Sequence, residues 1–307
     1  MVSREVARNG GRTRYRAIHV AAAEAVGLVG HRYVSPAGLV GVVAGACGER
    51  NFSGHLRPQA RAGVVRVDLG SLTFCEPLGL VAVAALVDRA TDTGEVVFTS
   101  PRRPSVARYL SRMRLGRVLT DLGVDHDLPT VREHRQDGVL VELTAFTDSG
   151  DVDRLAAMVH DTLEPIDQGA AGILYSGLAE AGDNVPRHAR RRNGFLAAQK
   201  VGPARNLLFA VADGGVGMFG TLKGRGARDA SHALDLAVVQ GVTERPDQDS
   251  VTGLHAVAAE LIRCGGYLHV LSDDAHLTVG RFTTRGTAWQ AFDGTAVQGL
   301  VRSAAAP

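Results

Sequence analysis

The sequence predicts an α/β protein built from two domains. The chain has 307 residues, enough for two cores of ordinary size, and 45% of them are hydrophobic against 21% charged, as in most globular proteins. Up to about residue 125, short β-like runs alternate with apolar-periodic helices, which is typical of α/β layers. The polar stretch from Gly123 to Gly138 is the most linker-like part of the chain.

The first domain is expected over residues 16–130, after an Arg- and Gly-rich tail at residues 1–15 that we expect to be disordered. Its pattern predicts a strand, a helix, a second strand and a second helix. These elements span Val64–Leu69, Leu78–Ala90, Val96–Thr99 and Val106–Leu119.

The second domain is expected over residues 138–295, followed by a C-terminal tail at residues 296–307. A strand at Val139–Phe146 leads to Asp148, which is placed to cap a helix over Val152–Leu163. The later elements are predicted over Ala170–Arg190 (helix), Phe195–Val201 and Leu207–Ala212 (strands), Ala233–Gln240 and Leu254–Arg263 (helices), and Tyr267–Leu271, Leu277–Phe282 and Ala288–Phe292 (strands).

Charge and composition argue against several classes of protein. The net charge is +2, aromatic residues make up 5% and the arginines are dispersed, so we expect no direct contact with nucleic acid. No stretch reaches the roughly 18 apolar residues of a membrane span, and no secretory leader is recognisable at the N-terminus. Three widely spaced cysteines favour reduced, buried thiols. We therefore expect a cytoplasmic protein that does not bind membranes.

A carboxylate and a carboxamide lie four residues apart in one apolar-periodic segment. Glu180 and Asn184 are separated by one helical turn, which places them one above the other on one face. There the glutamate can act as a base on a water or hydroxyl, and the amide oxygen can bind Mg²⁺. On its own such a pair also occurs by chance.

An acid followed by glycines ends an apolar run at Asp213-Gly-Gly-Val-Gly217. The aspartate can accept a hydrogen bond from a purine amino group, while Gly215 and Gly217 permit backbone angles and close approach that side chains forbid. The same pattern is also compatible with a hairpin turn.

In order and content, the motifs of residues 138–295 resemble those of the GHKL (Bergerat-fold) ATPases and kinases, whose domain is an α+β sandwich that binds ATP and Mg²⁺. The resemblance implies that Glu180 is the general base, that Asn184 is the metal ligand and that Asp213 binds adenine. It also assigns Thr252, Gly253 and Leu254 to the turn that closes over the phosphates, at a helix N-terminus. Gly286-Thr287 would be the pair that supports the adenine pocket.

Two features of the resemblance leave alternatives open. The phosphate-closing stretch has fewer glycines than the family usually shows, so nucleotide binding can survive while turnover suffers. Lys223 and Arg225 fall in the expected lid, where they either meet the phosphates or face solvent. His188, four residues after Asn184, either faces the nucleotide or lies on the helix surface.

The first domain resembles a STAS domain, the fold of anti-sigma-factor antagonists, over Val65–Leu80 and the helix that follows. In phosphorylatable members an Asp-Ser-Ser-Gly turn opens this helix, whereas here the turn reads Glu76-Pro77-Leu78-Gly79. Since no acceptor hydroxyl remains there, the domain is predicted to dock or to sense.

The resemblance implies a regulatory serine/threonine kinase of the anti-sigma type, which transfers the γ-phosphate of ATP to a hydroxyl of a partner protein. The expected partner is a sigma factor or an anti-sigma antagonist, and a homodimer is compatible with the family. An ATP-gated interaction module with little phosphoryl transfer is the main alternative, and a slow ATPase is a third.

Overall fold

A computed structural model describes residues 64–70, 72, 75–92, 94–131, 139–189, 193–201, 206–243 and 253–302. The expected N-terminal tail, residues 16–63 of the first domain and residues 132–138 of the linker lie outside this part of the chain. None of the helices in these ranges combines the length and the apolar character that crossing a bilayer requires.

The described part of the first domain begins with a βαβ unit. Strands β1 (Val64–Asp68) and β2 (Glu95–Thr99) are parallel neighbours, and helix α1 (Pro77–Thr91) joins them. Parallel neighbours need such a crossover, and the proline at the start of α1 lacks an N–H that would in any case have no partner inside the helix. The predicted strand, helix and strand are confirmed.

The predicted helix over Val106–Leu119 is two helices, α2 (Pro104–Arg112) and α3 (Leu115–Asp121). Between them Arg114 takes a left-handed conformation with φ 64°. Leu110 and Leu115 are both fully buried, yet on one straight helix they would point about 140° apart. The break therefore lets both leucines face the same core.

Two capped helices follow strand β3 (Val139–Phe146) in the second domain. The Asp148 carboxylate accepts a hydrogen bond from the Asp151 N–H (2.9 Å), and Asp167 accepts one from the Ala170 N–H (3.0 Å). Besides β3, the second domain has helices α4 (Ser149–Leu163), α5 (Gln168–Asn184), α6 (Gly217–Leu222), α7 (Ala230–Leu234) and α8 (Leu254–Arg263), and strands β4 (Gly194–Val201), β5 (Asn206–Asp213), β6 (Tyr267–Val279) and β7 (Thr283–Val301).

Five of these strands form one antiparallel sheet in the order β3-β4-β5-β7-β6. Strand β6 turns back on itself at Asp273, which has φ 53°. His269 and Thr278, on either side of that turn, share a hydrogen bond of 2.7 Å between Nδ1 and Oγ1. The two strands predicted on either side of the turn are the two arms of β6, and the mixed α/β fold class is confirmed.

The C-terminal boundary predicted at residue 295 is wrong. Strand β7 continues to Val301 and lies between β5 and β6 in the sheet. Residues 296–301 are thus a central strand, with Ala296 and Val301 fully buried. The apolar residues at 296, 297, 300 and 301 are the signal that the tail assignment overlooked. Of the predicted tail, only residues 303–307 lie outside the described part of the chain.

Both faces of the five-stranded sheet are buried. On β5, Phe209 and Val211 pack with α4, α5 and α8 in one apolar cluster. Ala210 and Ala212 point the other way, into a cluster that contains α1. All of α1 except Arg89 and Thr91 is buried, so the two expected domains share a core across this face of the sheet.

Polar side chains complete the junction between the two halves. The Gln298 side chain of β7 accepts a hydrogen bond at Oε1 from the Leu78 N–H (3.2 Å), one of the first amides of α1. Gln199 of β4 donates from Nε2 to the Tyr109 hydroxyl of α2 (2.6 Å). Because these groups are buried, their hydrogen bonds specify how the halves meet.

Candidate functional site

Helix α5 presents Asn184 at its C-terminal end. The Asn184 side chain donates from Nδ2 to the Glu180 carbonyl oxygen (2.9 Å), and its Oδ1 is the acceptor atom of the same amide. Glu180 lies one turn earlier on α5 and is half-buried. The predicted pair is therefore on one helix, as its spacing requires.

Two glycines let α5 lie close to its neighbours. A Cβ at Gly177 would lie 2.6 Å from Cζ of Phe209 on β5, and a Cβ at Gly182 would lie 2.5 Å from Cγ1 of Val152 on α4. Neither site has room for a methyl group. This close packing fixes the distance between the sheet and α5, the helix that carries Asn184.

Asp213 ends the central strand β5 and is buried, with 6% of its surface exposed. Its Oδ1 accepts a hydrogen bond from the Gly215 N–H (2.7 Å). Gly194 of β4 and Thr295 of β7 are its neighbours in the register on either side. The carboxylate is thereby oriented by its own turn between two strand ends.

The glycines after Asp213 are surrounded by protein backbone and side chains. A Cβ at Gly215 would lie 2.2 Å from the Ala189 carbonyl oxygen, and that same carbonyl accepts a hydrogen bond from the Val216 N–H (3.2 Å). Gly217 has φ +71°, and a Cβ there would lie 2.7 Å from Oδ2 of Asp273. The turn therefore packs against Val185–Ala189, the π-helical turn that extends α5.

Ser272 and Asp273 support this turn, and the sequence analysis missed them. The buried Ser272 hydroxyl donates to the Gly294 carbonyl (2.7 Å) and accepts from the Met218 N–H (2.8 Å). Asp273 accepts at Oδ2 from the Phe219 N–H (3.3 Å). Burial raises the pKa of Asp273, while hydrogen bonds to its carboxylate from the Phe219 N–H and the Ser272 hydroxyl oppose the rise. Together the two side chains hold the start of α6 beside the Asp213 turn.

Gly253 and Leu254 begin helix α8 at the edge of the same region. Gly253 has φ +147° and precedes the first helical residue, and Leu254 is buried. Thr252, the other residue of the expected phosphate-closing stretch, lies outside the described residues.

Several of the residues described above line one cleft. Asn184, Asp213, Gly217 and Leu254, which come from three separate segments, all line it. The other residues that line the cleft are Ala181, Val185, Ala189, Val211, Met218, Thr221, Thr295 and Val297. The described lining of the cleft is thus mostly apolar, with one buried carboxylate, one amide and the hydroxyl groups of Thr221 and Thr295.

The remaining predicted site residues are Lys223, His188 and Thr287. Lys223 is exposed in a short 3₁₀ turn after α6, outside the lining of the cleft. The backbone of His188 lies in the π-helical turn, and its side chain is outside the described part. Thr287 lies opposite Ala275 in the β6–β7 register. The threonine opposite Asp213 is Thr295, which the sequence analysis did not select although Gly294-Thr295 repeats the Gly-Thr pattern.

The donor set suits a magnesium ion carried by a nucleotide better than a cage made of protein alone. Among the described residues, no group of three or more His, Cys, Asp and Glu side chains is placed to hold a metal. Mg²⁺ commonly takes one or two protein oxygens and completes its shell with phosphates and water. The Oδ1 of Asn184, which accepts no hydrogen bond from the described residues, fits that role.

Comparison of the chain with protein-family models, with curated proteins and with solved structures finds no match.

Proposed function

We propose that the chain is a regulatory protein of the GHKL type that binds Mg·ATP in the cleft between α5, the Asp213 turn and α8. The observation that carries the proposal is the convergence of Asn184, Asp213 and Leu254 on one cleft from separate segments. The apolar walls suit the faces of a purine, and a carboxylate suits its amino group.

The proposed reaction is transfer of the γ-phosphate to a serine or threonine hydroxyl of a partner protein. Glu180, one turn from the proposed metal ligand, would accept the hydroxyl proton as the hydroxyl oxygen bonds to the γ-phosphorus and ADP leaves. Asn184 would hold Mg²⁺, which would stabilise the charge on the phosphates. The partner is of the sigma-factor or anti-sigma-antagonist type, because the first domain resembles a member of that pathway. The proposed place of action is the cytoplasm.

The second candidate is an ATP-gated interaction module with little phosphoryl transfer. The start of α8 favours it, because Gly253 alone supplies glycine in the stretch Ser250–His255 that would approach the phosphates. In that case binding of ATP changes the affinity of the protein for its partner. A slow ATPase is a third outcome of the same test.

Calorimetry of the full-length protein with Mg·ATP tests the proposal. We expect saturable binding that depends on Mg²⁺, and Asp153→Asn, at an exposed position on α4, serves as the control variant. Absence of binding by the folded protein would refute the proposed function. A second experiment uses ATP labelled on the γ-phosphate. Label on a co-purified protein identifies a kinase, and ATP binding without transfer identifies an interaction module. Release of free phosphate alone identifies an ATPase.

A further inference from the structure

The last turns of α1 lie directly behind the Asp213 turn. Arg89 is half-buried and donates from Nη1 to the Gly214 carbonyl oxygen (3.1 Å). This hydrogen bond joins residues 125 positions apart in the sequence. It connects the first domain to the segment that carries the proposed purine-binding carboxylate.

Gly214 has no room for a side chain because α1 is there. A Cβ at this position would lie 2.7 Å from the Ala85 carbonyl oxygen and 3.0 Å from Cβ of Arg89. The backbone of the turn therefore rests against the backbone of α1. This glycine is explained by that contact rather than by ligand approach.

A second contact holds the neighbouring strand. The buried Asp88 accepts at Oδ1 a hydrogen bond from Nδ2 of Asn193 (2.6 Å). Asn193 immediately precedes β4, and Gly194, the first residue of that strand, lies opposite Asp213. Residues 85, 88 and 89 of α1 thus contact both strand ends at this side of the sheet.

We infer that α1 positions the turn that carries Asp213, so that docking of the first domain and occupancy of the cleft are energetically coupled. The nucleotide part of this inference rests on the proposed function. Arg89 is a positioning residue, since it contacts Gly214 and does not line the cleft. By reciprocity, a partner that displaces α1 weakens nucleotide binding, and a bound nucleotide strengthens the docking of α1.

The test compares Arg89→Ala and Arg89→Lys in the full-length protein with Arg108→Ala, a change at an exposed arginine of α2. Hydrogen exchange is followed in peptides that cover residues 206–217, and Kd is measured for Mg·ATP and Mg·ITP. For Arg89→Ala we expect faster exchange confined to Gly214–Gly217, an ATP Kd raised at least about fivefold, and a smaller preference for ATP over ITP. Lysine retains a donor and the charge at the helix end, so it should restore most of the wild-type behaviour.

The exchange measurement separates this inference from the proposed function. If the wild-type protein binds no Mg·ATP, the proposed function fails, and localised exchange in Arg89→Ala still supports the positioning role of α1. If exchange in Arg89→Ala equals that of Arg108→Ala, or rises evenly over the whole protein, α1 does not position the turn. Normal ATP binding with unchanged ATP preference in Arg89→Ala contradicts the coupling.

Discussion

Asp213 and Thr295 lie directly opposite each other where β5 pairs with β7, and both line the cleft. The residue before Thr295 is Gly294, with φ +126°, and a Cβ there would lie 2.0 Å from the Asp213 carbonyl oxygen. The two strand ends therefore meet through their backbones. This contact places a hydroxyl and a carboxylate on the same wall of the cleft.

Thr295 and Thr287 provide a direct test of which threonine supports the cleft. Thr295→Ala should raise the Kd for Mg·ATP several-fold, since a lost hydrogen bond is worth about 0.5–1.5 kcal/mol. Thr287 pairs with Ala275 in the β6–β7 register, so Thr287→Ala should leave the Kd for Mg·ATP unchanged. Calorimetry of both variants decides, and the opposite result would return the role to Thr287.

Asp213→Asn should change the purine preference. The amide oxygen keeps the hydrogen bond from the Gly215 N–H, so the turn is retained, but an NH₂ group replaces the second carboxylate oxygen, which we propose accepts a hydrogen bond from the purine amino group. We expect ATP affinity to fall by about tenfold or more and ITP affinity to rise relative to ATP, because the purine of ITP offers a carbonyl. Competition titrations with the two nucleotides measure this change, and equal losses for both would contradict the assignment.

Substitution of Asn184 should weaken nucleotide binding, whereas substitution of Glu180 should slow phosphate transfer. Asn184→Ala removes the only protein ligand proposed for Mg²⁺, so the Mg²⁺-dependent part of ATP affinity should fall at least about tenfold. Glu180→Gln should preserve binding and lower phosphate transfer or release by about 10²–10⁴-fold. Binding is measured by calorimetry and turnover with γ-labelled ATP; unchanged turnover in Glu180→Gln would show that another group is the base.

Two glycines of α5 should respond in opposite directions to alanine. At Gly177 the new methyl group meets the buried Phe209 ring, so the free energy of unfolding should fall by about 1–3 kcal/mol. At Gly172 no described atom beyond the chain neighbours and the nearby backbone of α5 lies within 4 Å of the new Cβ, and the variant should gain about 0.5–1 kcal/mol from the stiffer backbone. Urea unfolding of the pair measures both effects, and a stabilising Gly177→Ala would show that α5 does not pack this tightly.

Glu76 should make stability depend on pH. Burial raises the pKa of this carboxyl, and the hydrogen bond from Gln298 opposes the rise only in part. The folded state therefore binds the proton more tightly than the unfolded chain, so stability from this group is highest at acidic pH and declines as pH rises through the raised pKa. Glu76→Gln should be more stable than the wild type above that range and should flatten the decline.

Denaturant midpoints between pH 4 and pH 9 measure the effect of Glu76→Gln. Glu95→Gln, at an exposed position on β2, is the matched control and should follow the wild type at every pH. Parallel curves for wild type and Glu76→Gln would show that Glu76 is not responsible for the slope.

Local signals predicted most helices and strands of the chain. Helix α8 has the predicted bounds, Leu254–Arg263, and Asp148 caps α4 through the Asp151 N–H. These features depend on residues within a few positions of each other, so their physical causes are visible in the sequence. The helical spacing of Glu180 and Asn184 is another feature whose cause is visible in the sequence.

The features that the sequence analysis missed depend on pairing between distant segments of the chain. A strand register is set by partners far along the chain, so two similar Gly-Thr pairs cannot be ranked from their own residues. The structure places Thr295 opposite Asp213 and Thr287 opposite Ala275. For the same reason the buried Ser272 was not recognisable, since its partners are Met218 and Gly294.

The sequence by itself determined the α/β elements, the helical spacing of Glu180 and Asn184, and the turn that begins at Asp213, because local periodicity and turn chemistry specify them. Only the tertiary structure decided that α1 covers the second face of the sheet and that Arg89 contacts the Gly214 carbonyl. Those relationships arise from packing between segments more than a hundred residues apart, which no local pattern encodes.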